Sequence, residues 1–111
     1  MAKLMDKAAM AARAGEAAAL LRALGNEHRL LVLCALAEGE RSVSDLNQRV
    51  DLSQSALSQH LAVLRAEGLV ATRREAQTVY YSLADPAAAR LIETLYGIYC
   101  GAGPARRRRG R

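Results

Sequence analysis

The fold of this protein is decided by the stretch LSQSALSQHLAVLRAEGLV, which spans Leu52–Val70. Ser53 is a typical helix N-cap and Gly68 a typical helix stop, so the stretch predicts one helix that ends near Glu67. On a wheel of 100° per residue, one narrow apolar stripe is expected to face the core, and it consists of Leu57, Leu61 and Leu64.

The opposite face of this helix has residue types that read DNA bases, since glutamine pairs bidentately with adenine and serine reaches bases or phosphates. The DNA contacts predicted on this helix are Gln54, Ser55, Ser58, Gln59, His60 and Arg65. His60 lies nearer the buried edge. Arg65 and Arg41 either contact phosphates or form surface salt bridges. An ordinary amphipathic helix with a solvated polar face shows the same pattern, so that alternative stays open for the helix alone.

The flanking segments predict a winged helix-turn-helix. A short helix through Val50 begins at Ser42 with a capping-box-like pattern, and Asp51-Leu52 makes the turn. Val70–Leu83 alternates apolar with polar residues around Glu75-Ala76-Gln77, which predicts a β-hairpin. The DNA contacts predicted at this wing are Arg73, Arg74, Gln77 and Thr78. The alternative is a charged hairpin edge that discourages aggregation.

Three more helices complete the predicted architecture. A pattern of Ala, Met and Leu predicts a first helix that Gly25 ends as a C′ residue, and Asn26 caps a second helix that stops near Gly39. Asp85-Pro86 begins the last helix, which ends around Cys100-Gly101. The predicted fold class is therefore mainly α with a small β-hairpin, in the winged-helix order α-α-α-α-β-β-α.

The net charge of +5 comes from the C-terminal arginines. Removing the five in residues 106–111 from the 16 basic residues leaves 11, which equals the 11 acidic residues. Residues 1–105 are thus expected to form one neutral DNA-binding and dimerisation domain, and residues 106–111 a disordered Arg-rich tail. Such a tail adds sequence-independent attraction to phosphates or is solvated without a role. DNA binding is therefore inferred from the helix and hairpin.

No segment indicates export or a membrane span. Charged residues such as Lys3 and Asp6 interrupt any apolar signal region, and the longest strongly apolar run, Leu30–Ala37, is too short to cross a bilayer. We therefore expect a cytoplasmic protein. Two distant cysteines in a reducing compartment, Cys34 and Cys100, do not indicate a structural disulfide framework.

Several of these stretches resemble the ArsR/SmtB family of repressors, over roughly residues 15–100. Leu24–Leu33 is similar to the start of the family's second helix, Leu52–Val70 to its recognition helix, and Val79–Leu83 to its second wing strand. The resemblance implies a homodimer through the first and last helices that binds double-stranded operator DNA with an inverted repeat. It also implies repression until an inducer weakens binding. Two-fold symmetry then places the recognition helices in successive major grooves.

Most members of this family sense metals, but the two common metal sites are absent from the sequence. The thiolate site needs a Cys-x-Cys-type motif, where this chain has Glu40–Asp45 without cysteine. The second site keeps Asp85, and its remaining positions hold Ala87, Ile98 and Gly101. We therefore expect no metal ligands. A metal-responsive repressor stays open through a new site made of Cys34, Cys100 and His28, although soft-metal sites normally need three or four ligands.

The contexts of the two cysteines resemble the persulfide-sensing branch of the family, the BigR- and SqrR-like repressors, and the related oxidation-responsive HlyU type. This resemblance implies that Cys34 and Cys100 approach each other within a subunit. Reactive sulfur species or oxidants would join them by a disulfide or polysulfide bridge, which would release DNA and derepress sulfide-detoxification genes. The chemistry needs an exposed thiolate and a second, resolving thiol. A purely structural Cys34 stays open, because free cysteine is among the most buried residues.

An enzyme is the remaining alternative, in the form of a small thiol redox enzyme. The sequence has no Cys-x-x-Cys motif, no cofactor loop and no paired carboxylate site. We therefore predict no catalytic residue and no cofactor.

Overall fold

The computed structural model describes residues 6–101 of the chain. Its helices and strands are, in order, α1 (Lys7–Leu24), α2 (Glu27–Ala37), β1 (Arg41–Ser42), α3 (Val43–Arg49), α4 (Gln54–Ala66), β2 (Val70–Glu75), β3 (Thr78–Leu83) and α5 (Pro86–Tyr96). A π-helical turn, Gly97–Gly101, continues α5. This order confirms the predicted winged helix-turn-helix. The predicted Arg-rich tail lies outside the described residues.

Side-chain caps begin all five α-helices, and every cap except that of α1 stands where the sequence analysis began a helix. Each cap oxygen accepts a hydrogen bond from a backbone N–H in the first turn, and the capping residues are Asp6, Asn26, Ser42, Ser53 and Asp85. A cap of this kind contributes about 1 kcal/mol because it satisfies a donor that the helix leaves unpaired. Helix starts in this chain are therefore set by local sequence.

The end of α1 differs from its prediction. Gly25 has an ordinary φ of −81°, not the left-handed conformation of a C′ glycine. A Cβ atom there would lie 3.1 Å from the carbonyl oxygen of Leu21, so lack of space favours glycine. The guanidinium of Arg29, on α2, donates to the carbonyl oxygens of Arg22 and Ala23 at 3.1 and 2.9 Å. The following helix thus supplies the C-terminal partners that α1 needs.

The core lies around α2 and α4. The predicted stripe of α4 is confirmed, since Leu57, Leu61 and Leu64 expose 0, 2 and 0% of their surface. Helix α2 packs against the other four α-helices and against β3. A displacement of α2 would therefore change its packing contacts with both α4 and α5.

The sheet contains a strand that the sequence analysis missed. Strands β2 and β3 form the predicted antiparallel hairpin, with Val70 opposite Leu83 and Glu75 opposite Thr78. The two-residue strand β1 pairs with the other edge of β3, placing Arg41 opposite Tyr81. Two residues are too few to show a period-2 pattern, so only the long-range pairing defines β1. This pairing joins the segment before α3 to the wing.

Large apolar side chains are exposed on α1, α2, α4 and the C-terminal segment. They are Met10, Leu21, Leu31, Val63, Tyr96, Ile98 and Tyr99, and Tyr99 alone exposes 81% of its surface. Several of them lie on α1 and at the end of α5, and exposed apolar surface that is contiguous marks interaction sites. The first and last helices therefore have surface suited to the predicted dimer. Within residues 6–101, no helix combines the length and apolarity needed to cross a membrane.

The hairpin turn contains a strained residue. Ala76 has a φ of +56°, which L-residues with a Cβ atom adopt at a cost of about 1–2 kcal/mol. Replacing Ala76 by glycine should therefore raise the free energy of unfolding by about 0.5–1 kcal/mol, after glycine's extra unfolded-state entropy is subtracted. Urea denaturation followed by circular dichroism measures this change. The matched control, Ala71→Gly within β2, should destabilise, and stabilisation by both or by neither would contradict the account of strain.

Candidate DNA interface and cysteine pair

The predicted reading face of α4 is exposed to solvent. Gln54, Ser55, Ser58, Gln59 and Arg65 all lie at the surface. Among residues 6–101, the side chains of Gln59 and Arg65 form no hydrogen bond or ion pair, whereas the Ser55 hydroxyl lies 3.4 Å from that of Ser53. The first turn of α4 contains no acidic residue. This face can therefore approach a phosphate backbone without repulsion and without first breaking internal contacts.

The turn that orients α4 is held by a residue that the sequence analysis did not single out. The side-chain amide of Asn47, on α3, donates to the carbonyl oxygen of Leu52 at 2.8 Å. The Val50 and Leu52 amides donate to Leu46 and Val50 carbonyls at 3.0 Å each. These bonds fix the angle between the two helices of the helix-turn-helix. An asparagine shortly before the turn was the available sequence signal.

His60 lies between α4 and α2. It is half-buried, and its ring centroid is 5.9 Å from that of His28, with the planes tilted by 35°. Burial lowers the pKa of His60, and the nearby positive charges of Arg29 and His28 lower it further. A neutral imidazole packed against α2 fits the predicted position near the buried edge. Its DNA contact stays a prediction.

The two wing arginines differ in what they contact. The Arg73 guanidinium donates to both carboxylate oxygens of Glu40, at 2.9 and 2.7 Å, and to Glu75 at 2.8 Å. It also lies over the Tyr80 ring, 4.6 Å from the centroid. The hydrogen bond from Arg73 lowers the pKa of Glu40. Arg73 therefore joins the hairpin to the loop before β1, and a phosphate would have to displace two carboxylates to bind it.

Arg74 has none of these contacts. Its side chain is exposed, and the structure gives it no hydrogen bond or ion pair within residues 6–101. Gln77 and Thr78 are exposed beside it at the turn. Of the two wing arginines predicted to contact DNA, Arg74 is thus the one available to a phosphate.

Replacing Arg74 by glutamine should weaken DNA binding mainly at low salt. Loss of one phosphate contact in each subunit of a dimer lowers the slope of log K against log salt by about 2. The matched variant Arg73→Gln should change this slope less, because its guanidinium already has two carboxylate partners, and should instead lower hairpin stability. Fluorescence anisotropy across a salt series measures both slopes. Equal slopes for the two variants would refute the distinction.

Arg41 forms a salt bridge, which decides between its two predicted roles. Only 14% of its side chain is exposed. It donates to the Ala35 carbonyl at 2.8 Å, to Glu38 at 2.7 Å and to Asp45 at 2.9 Å. The hydrogen bond from Arg41 helps to lower the pKa of Asp45. Arg41 thus connects the C-terminal end of α2 to α3, the first helix of the helix-turn-helix.

The two cysteines lie on elements that pack close together. Cys34 is half-buried on α2, and Cys100 is exposed on the π-helical turn that continues α5. Burial raises the pKa of the Cys34 thiol, and the negative charges of a Cys100 thiolate and of Glu38 raise it further. Helix α2 packs against α5, and the turn that holds Cys100 continues α5. Neither sulfur forms a disulfide in this state.

The raised pKa of Cys34 predicts its reactivity. Iodoacetamide should alkylate Cys34 more slowly than Cys100 at neutral pH, because alkylation needs the thiolate and because Cys100 is more accessible. The Cys34 rate should keep rising as the pH increases beyond the ordinary thiol range, since the thiolate form appears only near the raised pKa. Peptide mapping by mass spectrometry measures both rates in one sample, with urea-unfolded protein as the control. Alkylation of Cys34 that is faster than that of Cys100 in the folded protein would contradict the burial of Cys34.

A cavity of about 460 Å³ opens beside Cys34, between α2, β3 and α5. Its apolar lining consists of Ala37, Leu83, Ala89, Ile92 and Tyr96, and its charged lining of Glu38, Arg90 and Glu93. The sequence analysis did not find this cavity, because its walls come from three elements that are distant in the chain. Its place beside a thiol makes it a candidate reagent site.

Within the described residues, the structure does not group Cys34, Cys100 and His28, the ligands considered for a metal, into a binding site. Within residues 6–101, no group of three or more His, Cys, Asp or Glu side chains is arranged to hold a metal ion. His28 instead faces His60. The alternative of a new metal site therefore gains no geometric support.

Comparison with known proteins links this arrangement to a family of regulators. Residues 26–72 match the family described as bacterial regulatory protein, arsR family. The match runs from the N-cap of α2 into the first strand of the hairpin and so includes the whole helix-turn-helix.

Relatives extend the similarity over most of the chain. The transcriptional activator HlyU of Vibrio cholerae is 50% identical over 98 residues, 88% of this chain and 91% of HlyU. The crystal structure of the transcriptional repressor BigR from Xylella fastidiosa matches with a TM-score of 0.81 and 44% identity, covering 86% of this chain and 98% of BigR. A homodimeric winged helix-turn-helix DNA-binding domain from Mycobacterium bovis matches with a TM-score of 0.71 and 34% identity, covering 88% and 89%.

Proposed function

This chain belongs to the ArsR family of bacterial regulatory proteins, and from this premise we propose that it is a homodimeric repressor switched by reactive sulfur species at Cys34 and Cys100. Membership of the family makes it a DNA-binding transcriptional regulator and not an enzyme. The sensing proposal is supported by the placement of two free cysteines, since Cys34 lies on α2, Cys100 lies on the turn that continues α5, and α2 packs against both α5 and α4.

Dimerisation supplies the geometry for operator binding. Exposed apolar residues of α1 and of the turn that continues α5 are available to a second copy, namely Met10, Leu21, Ile98 and Tyr99. The relative from Mycobacterium bovis is a homodimer. A two-fold axis through such an interface presents two copies of α4, with Gln59 at the centre of each reading face, to an inverted repeat. Arg74 and the turn residues of the hairpin then contact DNA beside the major groove.

The proposed sensing reaction joins the two thiols in two balanced steps. One cysteine thiolate attacks the outer sulfur of an organic persulfide, R–S–SH, so that the S–S bond breaks and the thiol RSH leaves. The second cysteine thiolate attacks the inner sulfur of the protein persulfide and expels hydrogen sulfide. Two protein thiols are thereby oxidised to Cys34–S–S–Cys100, and the transferred sulfur is reduced. Transfer of further sulfur atoms before closure lengthens the bridge, and an oxidant such as peroxide would give the disulfide alone.

A bridge would reach the DNA-reading elements through α2. Arg41 donates to the carbonyl oxygen of Ala35, the residue after Cys34, and to Glu38, one turn further along the chain. It also donates to Asp45 on α3. At the other end of α2, His28 packs on His60 of α4. Drawing Cys34 toward Cys100 would therefore disturb both helices of the helix-turn-helix. Derepression of sulfide-detoxification genes is the regulatory outcome that we propose.

The test uses the reduced dimer and an inverted-repeat operator selected by the protein from a random-sequence pool. Fluorescence anisotropy should show release after addition of an organic persulfide and rebinding after dithiothreitol. Intact mass spectrometry should show the loss of two hydrogen atoms, with one added sulfur for each extra atom in the bridge. Zinc and copper salts should leave binding unchanged. Release by metal without any bridge would instead support the metal-responsive alternative.

A further inference from the structure

We propose that the cavity beside Cys34 binds the organic part of the inducer and selects persulfides of zwitterionic α-amino acids. The inference rests on the proposed function, since it names the chemical class of the reagent for the same two thiols. With a volume of about 460 Å³, the cavity falls within the range of small-molecule sites. Apolar side chains form much of its wall, and Cys34 itself is part of the lining.

The charges of the cavity match a zwitterion. Glu38 and Glu93 supply two carboxylates and Arg90 one guanidinium. A ligand carboxylate would pair with Arg90 through two parallel hydrogen bonds, and a ligand ammonium would lie near the carboxylates. An inorganic polysulfide carries only negative charge, so it would gain from Arg90 but be repelled by both glutamates. A reagent with both charges satisfies all three groups.

Two of these charged groups are unused by the protein. Arg90 and Glu93 lie three residues apart on α5, a spacing at which opposite charges commonly pair. Within residues 6–101 the structure nevertheless gives neither side chain an ion pair or hydrogen bond, and only the backbone carbonyl of Arg90 accepts a bond, from Thr94. Glu38 differs because Arg41 already contacts it at 2.7 Å. Arg90 and Glu93 are thus the groups available to a ligand.

Binding in the cavity would give Cys34 its selectivity. Half-buried Cys34 meets unbound reagents less readily than exposed Cys100. A persulfide held against the cavity wall reaches a high effective concentration at the Cys34 sulfur. The Cys34 thiolate then takes the outer sulfur, the amino-acid thiol leaves, and the Cys100 thiolate attacks the inner sulfur of the Cys34 persulfide and expels hydrogen sulfide.

The test compares the persulfides of cysteine, N-acetylcysteine and cysteine methyl ester. Relative to cysteine persulfide, the N-acetyl compound lacks the ammonium charge and the methyl ester lacks the carboxylate charge. Bridge formation in the full-length dimer is followed by quenched-flow mass spectrometry. The cysteine persulfide should react about 10-fold faster than the other two, since each lacks one charge-assisted contact. Arg90→Gln should remove the preference over the methyl ester, and Glu93→Gln the preference over the N-acetyl compound. Hydrogen peroxide, which needs no charged site, should oxidise all variants equally.

The outcomes separate the two proposals. Equal rates for the three persulfides with the unaltered dimer would overturn the cavity proposal and leave the cysteine switch intact. The cavity proposal is also overturned if Arg90→Gln and Glu93→Gln keep the full preference pattern. If none of the persulfides forms a bridge, the proposed function itself fails, and the cavity proposal fails with it.

Discussion

Replacing Gln59 by glutamate should lower operator affinity about 100-fold. Gln59 lies at the centre of the exposed face of α4, and its side chain has no partner within the described residues. Glutamine both donates and accepts hydrogen bonds, whereas a carboxylate only accepts. A lost bidentate base contact costs about 1–3 kcal/mol, and a dimer loses it twice. The added charge also faces the phosphates, so the two effects act in the same direction.

The measurement is an anisotropy titration with labelled operator at one fixed salt concentration. Ala84→Glu is the matched control, because it adds the same charge at an exposed position between β3 and α5, outside the helix-turn-helix and outside the helices of the predicted dimer interface. Circular dichroism checks that Gln59→Glu retains its helices. Unchanged affinity in Gln59→Glu, or an equal loss in Ala84→Glu, would show that the reading face lies elsewhere.

The parts of the fold that were predicted correctly are those set by local sequence. Ser53 caps α4 through a bond to the Ala56 amide, and Gly68 ends it with a φ of +77°. Both signals lie within a few residues of the helix end, where sequence patterns are informative. The leucine stripe of α4 follows from helical period alone.

The parts that were missed depend on contacts between distant elements. Strand β1 exists because Arg41 pairs with Tyr81, and Arg73 meets Glu40 from the far side of the helix-turn-helix. No local sequence pattern predicts which of the two wing arginines forms an ion pair with a carboxylate. The cavity beside Cys34 likewise forms only once α2, β3 and α5 are assembled.

The cysteine pair belongs between these two cases. Nothing in the local patterns joins Cys34 to Cys100, and only the family resemblance linked them. The structure adds the packing of α2 on α5, the helix whose continuation holds Cys100. His28, the third ligand considered for a metal site, lies beside His60.

Serine at either cysteine should abolish inducer response while operator binding by the reduced protein persists. Serine is close to cysteine in shape, and Cys34 is only half-buried, so folding should survive both substitutions. Coupling free energies between sites are typically about 1–3 kcal/mol, so the bridged parent dimer should bind operator about 5- to 150-fold more weakly. Cys34→Ser and Cys100→Ser should each change less than about 2-fold under the same treatment, close to the resolution of the titration.

The two single variants also separate the modification of one thiol from the formation of the bridge. Each retains one thiol, so each should gain persulfide sulfur in intact mass spectrometry without closing an intramolecular bridge. Sulfur uptake without DNA release would show that the bridge, and not the modification of one thiol, moves α2. Release retained by both variants would refute the switch. If only one variant retains release, the cysteine replaced in that variant is dispensable. The signal would then have to come from modification of the single remaining thiol.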